Sequence, residues 1–303
     1  MAICVATYRR PDGLERLLEG LAGLAFSGPP PRWRIVVVDN DPAGKTADAI
    51  IERWRPRLPE VILEREPRTG ISHARNRGLD AAGEPDFIAF IDDDEVPAPG
   101  WLAELLAVQA AYDADVVRGP VVPWFESEPA AWLTTGGFFD RPRHATGTEL
   151  DVAYTHNALL RWRPFRDLRF SPRYARSGGE DAHFFGRIRQ RGGRIVWADD
   201  AVVREWQPPA RQNVRWLLRR QYRIGMMRAV IDAELGLTSA PRWTSARQAG
   251  TRIAGGLADL VTSIPGRRKE ERVRALGRMA AGVGRLAGLL GLWFEEYRDD
   301  GRR

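Results

Sequence analysis

The chain has 303 residues, 44% of them hydrophobic and 28% charged, and a net charge of +6. That is the make-up of one large globular domain, or a domain with an appendage, and it excludes disordered and fibrous classes. A lone cysteine, Cys4, excludes an internal disulfide framework and points to a reducing compartment.

The first residues, Met1 to Thr7, read as a core strand rather than a signal peptide, with the apolar run Ile3 to Ala6 at its centre. Arg10-Pro11-Asp12-Gly13 then turns the chain, and Leu14, Leu17, Leu18 and Leu21 recur at helical spacing. Arg34 to Val38 is a β-branched strand ending at the turn-forming cluster Asp39-Asn40-Asp41. A helix is expected over Ala47 to Trp54, a strand at Val61 to Leu63, a helix over Ile71 to Ala82 and a strand over Phe87 to Ile91. Strands alternating with helices of this length imply βαβ units and a mostly parallel sheet. In such sheets ligands bind beyond the C-terminal strand ends, where Thr7, Asp39 and Asp92 fall.

Val116 to Trp162 is rich in aromatics, glycine and proline and reads as irregular strands with long loops. Gly178-Gly179-Glu180-Asp181 opens a helix over Ala182 to Arg191, followed by a strand over Arg194 to Trp197. After Pro208-Pro209 the composition turns to arginine-rich helices, which sets a boundary near residue 208, with 1–208 as the main domain and 209–303 as an extension. From Arg204 to Arg303 there are 20 basic and 10 acidic residues, against 26 and 30 before them. That surplus fits an anionic membrane surface better than nucleic acid, because the aromatic platform of a single-strand binder is missing. Val273, Leu276, Met279, Val283, Leu286, Leu290 and Trp293 repeat every three or four residues, with Arg272, Arg274, Arg278 and Arg285 among them. Five glycines in this stretch lower its helix propensity. It is therefore expected either to lie in a membrane interface or to pack on its own domain or a homodimer mate.

The most telling segment is Asp92-Asp93-Asp94-Glu95 at the end of an apolar strand. Like charges crowded at a strand end destabilise a fold unless a cation compensates. Hard oxygens there suit Mg²⁺ or Mn²⁺ together with substrate phosphates, the alternative being a solvated acidic turn. Gly44-Lys45-Thr46 fails as a phosphate loop, since Asp39 stands where a glycine is required. Glu180-Asp181 is either a helix cap or a proton acceptor for a hydroxyl nucleophile. The four histidines lack metal-ligand spacing.

Taken in order, Val5-Ala6-Thr7-Tyr8-Arg9-Arg10, Val36-Val37-Val38-Asp39-Asn40, Gly70-Ile71-Ser72-His73-Ala74-Arg75-Asn76, Phe90-Ile91-Asp92-Asp93-Asp94-Glu95, Thr155-His156-Asn157-Ala158-Leu159-Leu160, Gly179-Glu180-Asp181 and Trp216-Leu217-Leu218-Arg219-Arg220 resemble family 2 glycosyltransferases over roughly residues 1–225. The resemblance implies an α/β GT-A fold and an inverting, metal-dependent transferase with Mg²⁺ or Mn²⁺ as cofactor. It would take a nucleoside diphosphate sugar, UDP favoured, and a saccharide or polyprenyl-linked acceptor, in cell-envelope or exopolysaccharide synthesis. Thr7, Tyr8, Arg9 and Asp39 would line the base and ribose pocket, with Arg75 and Asn76 near the phosphates. Asp92 would face the ribose and, with Asp94, the metal, with Asp93 between them in the nucleotide-binding set. Asp181, or else Glu180, would be the general base, and Asn157 would touch the donor sugar or acceptor. Many relatives carry histidine where Glu205 stands, so Glu205 is the expected further metal ligand. The implied place of work is the cytoplasmic side, peripheral at the inner face of the plasma membrane. The alternatives are a non-catalytic nucleotide-sugar binding protein and a sugar-nucleotide pyrophosphorylase, which the missing Gly-rich loop after the first strand argues against.

Overall fold

In a computed structural model, residues 1–44, 46–236, 242–261 and 268–294 are described. Lys45 of the rejected phosphate loop, and the last nine residues of the extension, lie outside them. In chain order the elements are β1 (Ala2–Thr7), α1 (Pro11–Ala22), β2 (Arg34–Asp39), α2 (Thr46–Trp54), β3 (Val61–Arg65), α3 (Ile71–Ala82), β4 (Phe87–Phe90), β5 (Glu95–Pro97), α4 (Trp101–Tyr112), β6 (Val116–Arg118) and β7 (Val121–Trp124). They continue with α5 (Ala131–Thr135), β8 (Glu149–Leu150), β9 (Ala158–Arg161), α6 (Glu180–Gln190), β10 (Ile195–Trp197), β11 (Val203–Trp206), α7 (Val214–Glu234), α8 (Arg242–Val261) and α9 (Lys269–Leu289). The chain divides into two compact units, one of Met1–Val122, Arg141–Arg176 and Glu180–Trp206, the other of Pro123–Asp140, Ser177–Gly179 and Gln207–Arg303.

The first unit is built on an eight-stranded sheet in the order β3-β2-β1-β4-β9-β6-β10-β8. β1 runs parallel to both β2 and β4, in register so that Thr7 stands beside Asp39. β9 is antiparallel to β4 and β6, and β8 to β10, so the sheet is mixed at that end. Alternate strand residues enter two separate cores, as the two-residue period of a strand requires. Ile3, Val5, Ile35 and Val37 pack with α1, α2 and α4, whereas Ala2, Cys4, Val36 and Val38 pack with α3 and α6. Helices thus cover both faces, which is why the inner strands are continuous apolar runs. Sequence patterning leaves α4 unread. Its run Leu102-Ala103-Glu104-Leu105-Leu106-Ala107-Val108 is apolar nearly all round, so no amphipathic period marks it.

In the second unit α9 packs along α7 and α8. Gly284 comes so close to α7 that a Cβ there would lie 1.9 Å from the Tyr222 carbonyl oxygen, and one on Gly225 would lie 2.0 Å from that of Ala281. The glycines that weaken α9 alone therefore allow backbone-to-backbone contact with its neighbours. The face of the helix carrying Val273, Gly277, Ala281 and Gly284 is buried in its own unit. Val283 and Leu290, counted in the apolar stripe, are instead 48% and 77% exposed. Arg285 also turns inward, donating to Asp232 on α7 (3.2 Å) and Ser245 on α8 (3.0 Å). A satellite core of Leu133, Phe139, Leu217 and Val273 joins α5 to α7 and α9.

Candidate active site

The strand ends of the first unit bring four carboxylates into one turn. β4 stops at Phe90, and the next residues bend so that the Asp92 amide donates to Glu95 Oε2 at 2.9 Å. Asp93, Asp94 and Glu95 are buried. The compensating cation is Arg10, whose Nη1 donates to Asp93 Oδ1 at 2.8 Å and Asp94 Oδ2 at 3.0 Å. Thr7 Oγ1, at the end of β1, donates to Asp93 Oδ2 at 2.9 Å. Arg10 went unassigned from sequence because two adjacent arginines follow β1. Charge balance demands a cation at this turn, but only the path of the chain shows which one supplies it. Burial nevertheless raises the Asp93 carboxyl, with Arg10 opposing it.

A second arginine joins this turn to the other acidic motif. Arg75, buried on the first turns of α3, donates through Nη2 to Asp92 Oδ1 at 3.0 Å and through Nη1 to Glu180 Oε1. Glu180 and Asp181 are thereby held at the start of α6, beside the strand-end acids although far from them in sequence. Burial pushes the Glu180 carboxyl up to about 7, with Arg75 opposing and neighbouring Asp181 reinforcing the rise. Asp92 is raised to about 6 by burial, again against Arg75 and with Asp94 and Asp93 adding to it, although 36% of its side chain still meets solvent. Glu180 Oε2 is buried without a hydrogen-bond partner among the described residues. Asp181 is more open and, among the described residues, accepts only from the Ala182 amide, at 2.7 Å.

The ends of β1 and β2 form the other wall. Asp39 is buried and accepts from the Asp41 amide at 3.0 Å, and burial raises its carboxyl. Arg9, at φ 53°, pairs with Asp41 at 2.9 Å and lies 5.0 Å from the centre of the Tyr8 ring. Asn40, unassigned from sequence, ties β2 to the loop before α3: it donates to Glu66 and Arg68 carbonyls at 2.8 and 2.9 Å and accepts from the Gly70 amide at 2.8 Å.

Three expected contacts are used differently. Asn76 exchanges two 2.8 Å hydrogen bonds with the Phe170 backbone, so its amide anchors α3 rather than facing phosphates. Asn157 is fully buried at φ 56°; it accepts from Trp101 Nε1 at 2.7 Å and donates to the Pro120 and Ala201 carbonyls at 2.8 and 2.6 Å. Those bonds commit the side chain to the scaffold between α4 and the strand ends. Glu205 lies opposite Glu95 across the β5–β11 pair and is neutralised by Arg141 at 2.6 Å. Like charges directly across two strands repel, and Arg141 relieves that repulsion.

These residues fit a metal of one kind. Among the described residues no three His, Cys, Asp or Glu side chains gather as a metal cage, so Asp92, Asp94 and Glu205 do not form one. The hard oxygens of Asp92 and Asp94 do suit Mg²⁺ or Mn²⁺, which are commonly held by one or two carboxylates and complete their shell with phosphate and water.

The glycosyl transferase family 2 model matches residues 2–169. The succinoglycan biosynthesis protein ExoM of Rhizobium meliloti (strain 1021) is 36% identical over 297 residues, spanning 96% of this chain and 93% of its own. A mannosyltransferase from Pyrobaculum calidifontis, solved with GDP-Man and Mn²⁺, superposes with a TM-score of 0.62 at 20% identity, over 96% of this chain and 87% of that one. The S. aureus TarS 1-349 structure with UDP-GlcNAc gives 0.57 at 16% identity, over 99% and 94%. At these identities the two structures speak for the shared GT-A fold.

Proposed function

The chain belongs to glycosyl transferase family 2, and from that premise we propose that it moves a sugar from a nucleoside diphosphate donor to an acceptor hydroxyl with inversion at the anomeric carbon. The observation that carries this reading is the double grip of Arg75 on Asp92 and Glu180, which joins the strand-end acids to the acids of α6. Thr7, Tyr8, Arg9 and Asp39 would receive the base and ribose beyond the ends of β1 and β2, where open α/β sheets hold their ligands. Asp94 and Asp92 would hold Mg²⁺ or Mn²⁺, which when bound neutralises charge growing on the departing diphosphate. Asp181 would take the proton of the acceptor hydroxyl as that oxygen attacks from the face opposite the leaving group. Glu180 is less suited to this, being buried and already held by Arg75. Its place beside Asp181 makes it a positioning residue.

The donor read here is a uridine diphosphate sugar, the common choice in the family. TarS was solved with UDP-GlcNAc and the Pyrobaculum enzyme with GDP-Man, so nucleotides must be compared directly. ExoM is named for succinoglycan biosynthesis, and the extent of the match supports an exopolysaccharide or cell-envelope acceptor for this chain as well. No described helix is long and apolar enough to cross a membrane. The place of work proposed is the inner face of the plasma membrane, reached through the basic second unit.

Calorimetric titration of UDP, GDP, dTDP and CDP, each with Mn²⁺, Mg²⁺ or EDTA, tests the core of this reading. We expect UDP to bind in a metal-dependent manner and Asp94→Ala to weaken it at least about tenfold, which is about 1.4 kcal/mol. Failure of all four diphosphates to bind would remove the nucleotide-sugar assignment.

A further inference from the structure

Arg118 ends β6, and among the described residues its side chain has no carboxylate partner. Among the described residues it makes no side-chain hydrogen bond or ion pair, and its Nε is buried without an acceptor. It is clamped by rings instead: the guanidinium carbon lies 4.8 Å from the centre of Tyr154 and 5.5 Å from that of Trp197. Tyr154 is itself stacked on His156 at 5.0 Å, and His144 meets Trp197 edge-on at 5.2 Å. Two aromatic faces hold a guanidinium in a fixed attitude and satisfy its π-face, but they leave the donors along its edge unused.

A partly desolvated cation with a buried, unpaired Nε is costly unless an anion completes it. Burial lowers the pKa of Arg118, and the charged groups that bear on it are Tyr154, Arg141 and Asp181. Arg141 is a second cation in the same neighbourhood, half-buried and shared with Glu205. Asp181 is the carboxylate that acts on Arg118 most, and among the described residues the two form no ion pair. Ala158 of β9 pairs with Arg118 on one side and with Phe90, the last residue of β4, on the other, so Arg118 stands level with the strand end that leads to Asp92. Asp181 acts on both Arg118 and Asp92, so Arg118 faces the same strand-end site from the far side of β9.

We propose that Arg118, with Arg141 beside it, is a binding site for an anionic oxygen group carried by the acceptor, placed so that a hydroxyl of the same molecule reaches Asp181. The planar fork of a guanidinium matches carboxylate and phosphate oxygens equally, so the group is either a carboxylate on an acceptor sugar or a phosphate of a lipid carrier. This inference rests on the reading of Asp181 as the base.

The test is calorimetry on the full chain saturated with its best nucleoside diphosphate and Mn²⁺, titrated with methyl β-D-glucuronide, geranyl diphosphate or neutral methyl β-D-glucoside. One anionic probe should bind, identifying the source of the anion, and the neutral glucoside should not. Arg118→Gln should weaken that probe at least about tenfold while nucleoside diphosphate affinity stays as in the parent. Arg118→Lys, which keeps charge but loses the fork, should fall between, and it serves as the comparison if the glutamine variant melts early. The proposal fails if no anionic probe binds better than the glucoside, if Arg118 variants bind it as well as the parent, or if they lose the nucleoside diphosphate instead. Arg118-dependent probe binding by a chain that binds no nucleoside diphosphate would keep the anion site and remove the donor assignment.

Discussion

At Glu180 two forces compete for one proton. Burial favours the neutral acid and Arg75 favours the carboxylate, and burial prevails, lifting the group from an ordinary carboxyl value near 4.5 to about 7. A carboxyl raised in the fold holds its proton more tightly there than in the unfolded chain. Its contribution to stability is complete below about pH 4.5 and is lost as pH rises through 7. Glutamine mimics the neutral acid, so the melting temperature of the parent minus that of Glu180→Gln should decrease steadily from pH 5 to 8 without nucleotide. A difference that grows with pH would mean that the Arg75 pair keeps the group charged. Asp181 is expected to behave otherwise. Asp181→Asn should lower kcat by about 10²- to 10⁴-fold, the usual worth of a positioned base, with nucleoside diphosphate affinity little changed. Unchanged turnover would transfer the role elsewhere.

Elements were legible in the sequence where their pattern is local. The apolar runs at Arg34–Asp39 and Phe87–Phe90, each ending in acids, mark both the strands and the strand-end site, because in a sheet covered on both faces these properties travel together. What depends on partners far along the chain was not legible. Arg10 is one arginine among many, and Arg75 is expected only near the phosphates, until the fold sets them against Asp93, Asp94, Asp92 and Glu180. Asn157 carries the sequence pattern of a ligand contact, yet its amide is taken by Trp101, Pro120 and Ala201. In α9 the apolar repeat and the glycine repeat propose different buried faces, and close packing decides for the glycines. Gly284→Val should therefore cost about 1–3 kcal/mol, through a collision with the α7 backbone that no rotamer relieves. Gly250→Ala on α8, where an added Cβ meets nothing within 4 Å, should gain about 0.5–1 kcal/mol from helix propensity. Equal melting temperatures for the two variants would contradict the α7–α9 contact.

Over the whole chain, charge and exposed apolar area concentrate in the same stretch of sequence. Residues 204–303 carry a net +10 and residues 1–203 a net −4. The second unit also exposes Trp243 (63%), Leu257 (50%), Leu290 (77%) and Leu292 (56%). Scattered exposed leucines are ordinary, but large apolar side chains among many arginines suit an anionic bilayer, where charge attracts and apolar groups insert. Charge attraction weakens within a Debye length as salt rises, whereas insertion does not, so the two can be separated. The 303-residue chain should sediment with vesicles containing phosphatidylglycerol and not with pure phosphatidylcholine, and part of this binding should survive 0.5 M salt (~4 Å screening). Replacing Trp243, Leu290 and Leu292 together by serine should abolish the salt-resistant part and leave the melting temperature intact, since all three lie outside the packed core. Deleting α9 is a poorer test, because it also strips the partner of α7 and α8. Equal sedimentation with both lipids would leave the basic surplus without a bilayer role and the acceptor would have to arrive free of the membrane.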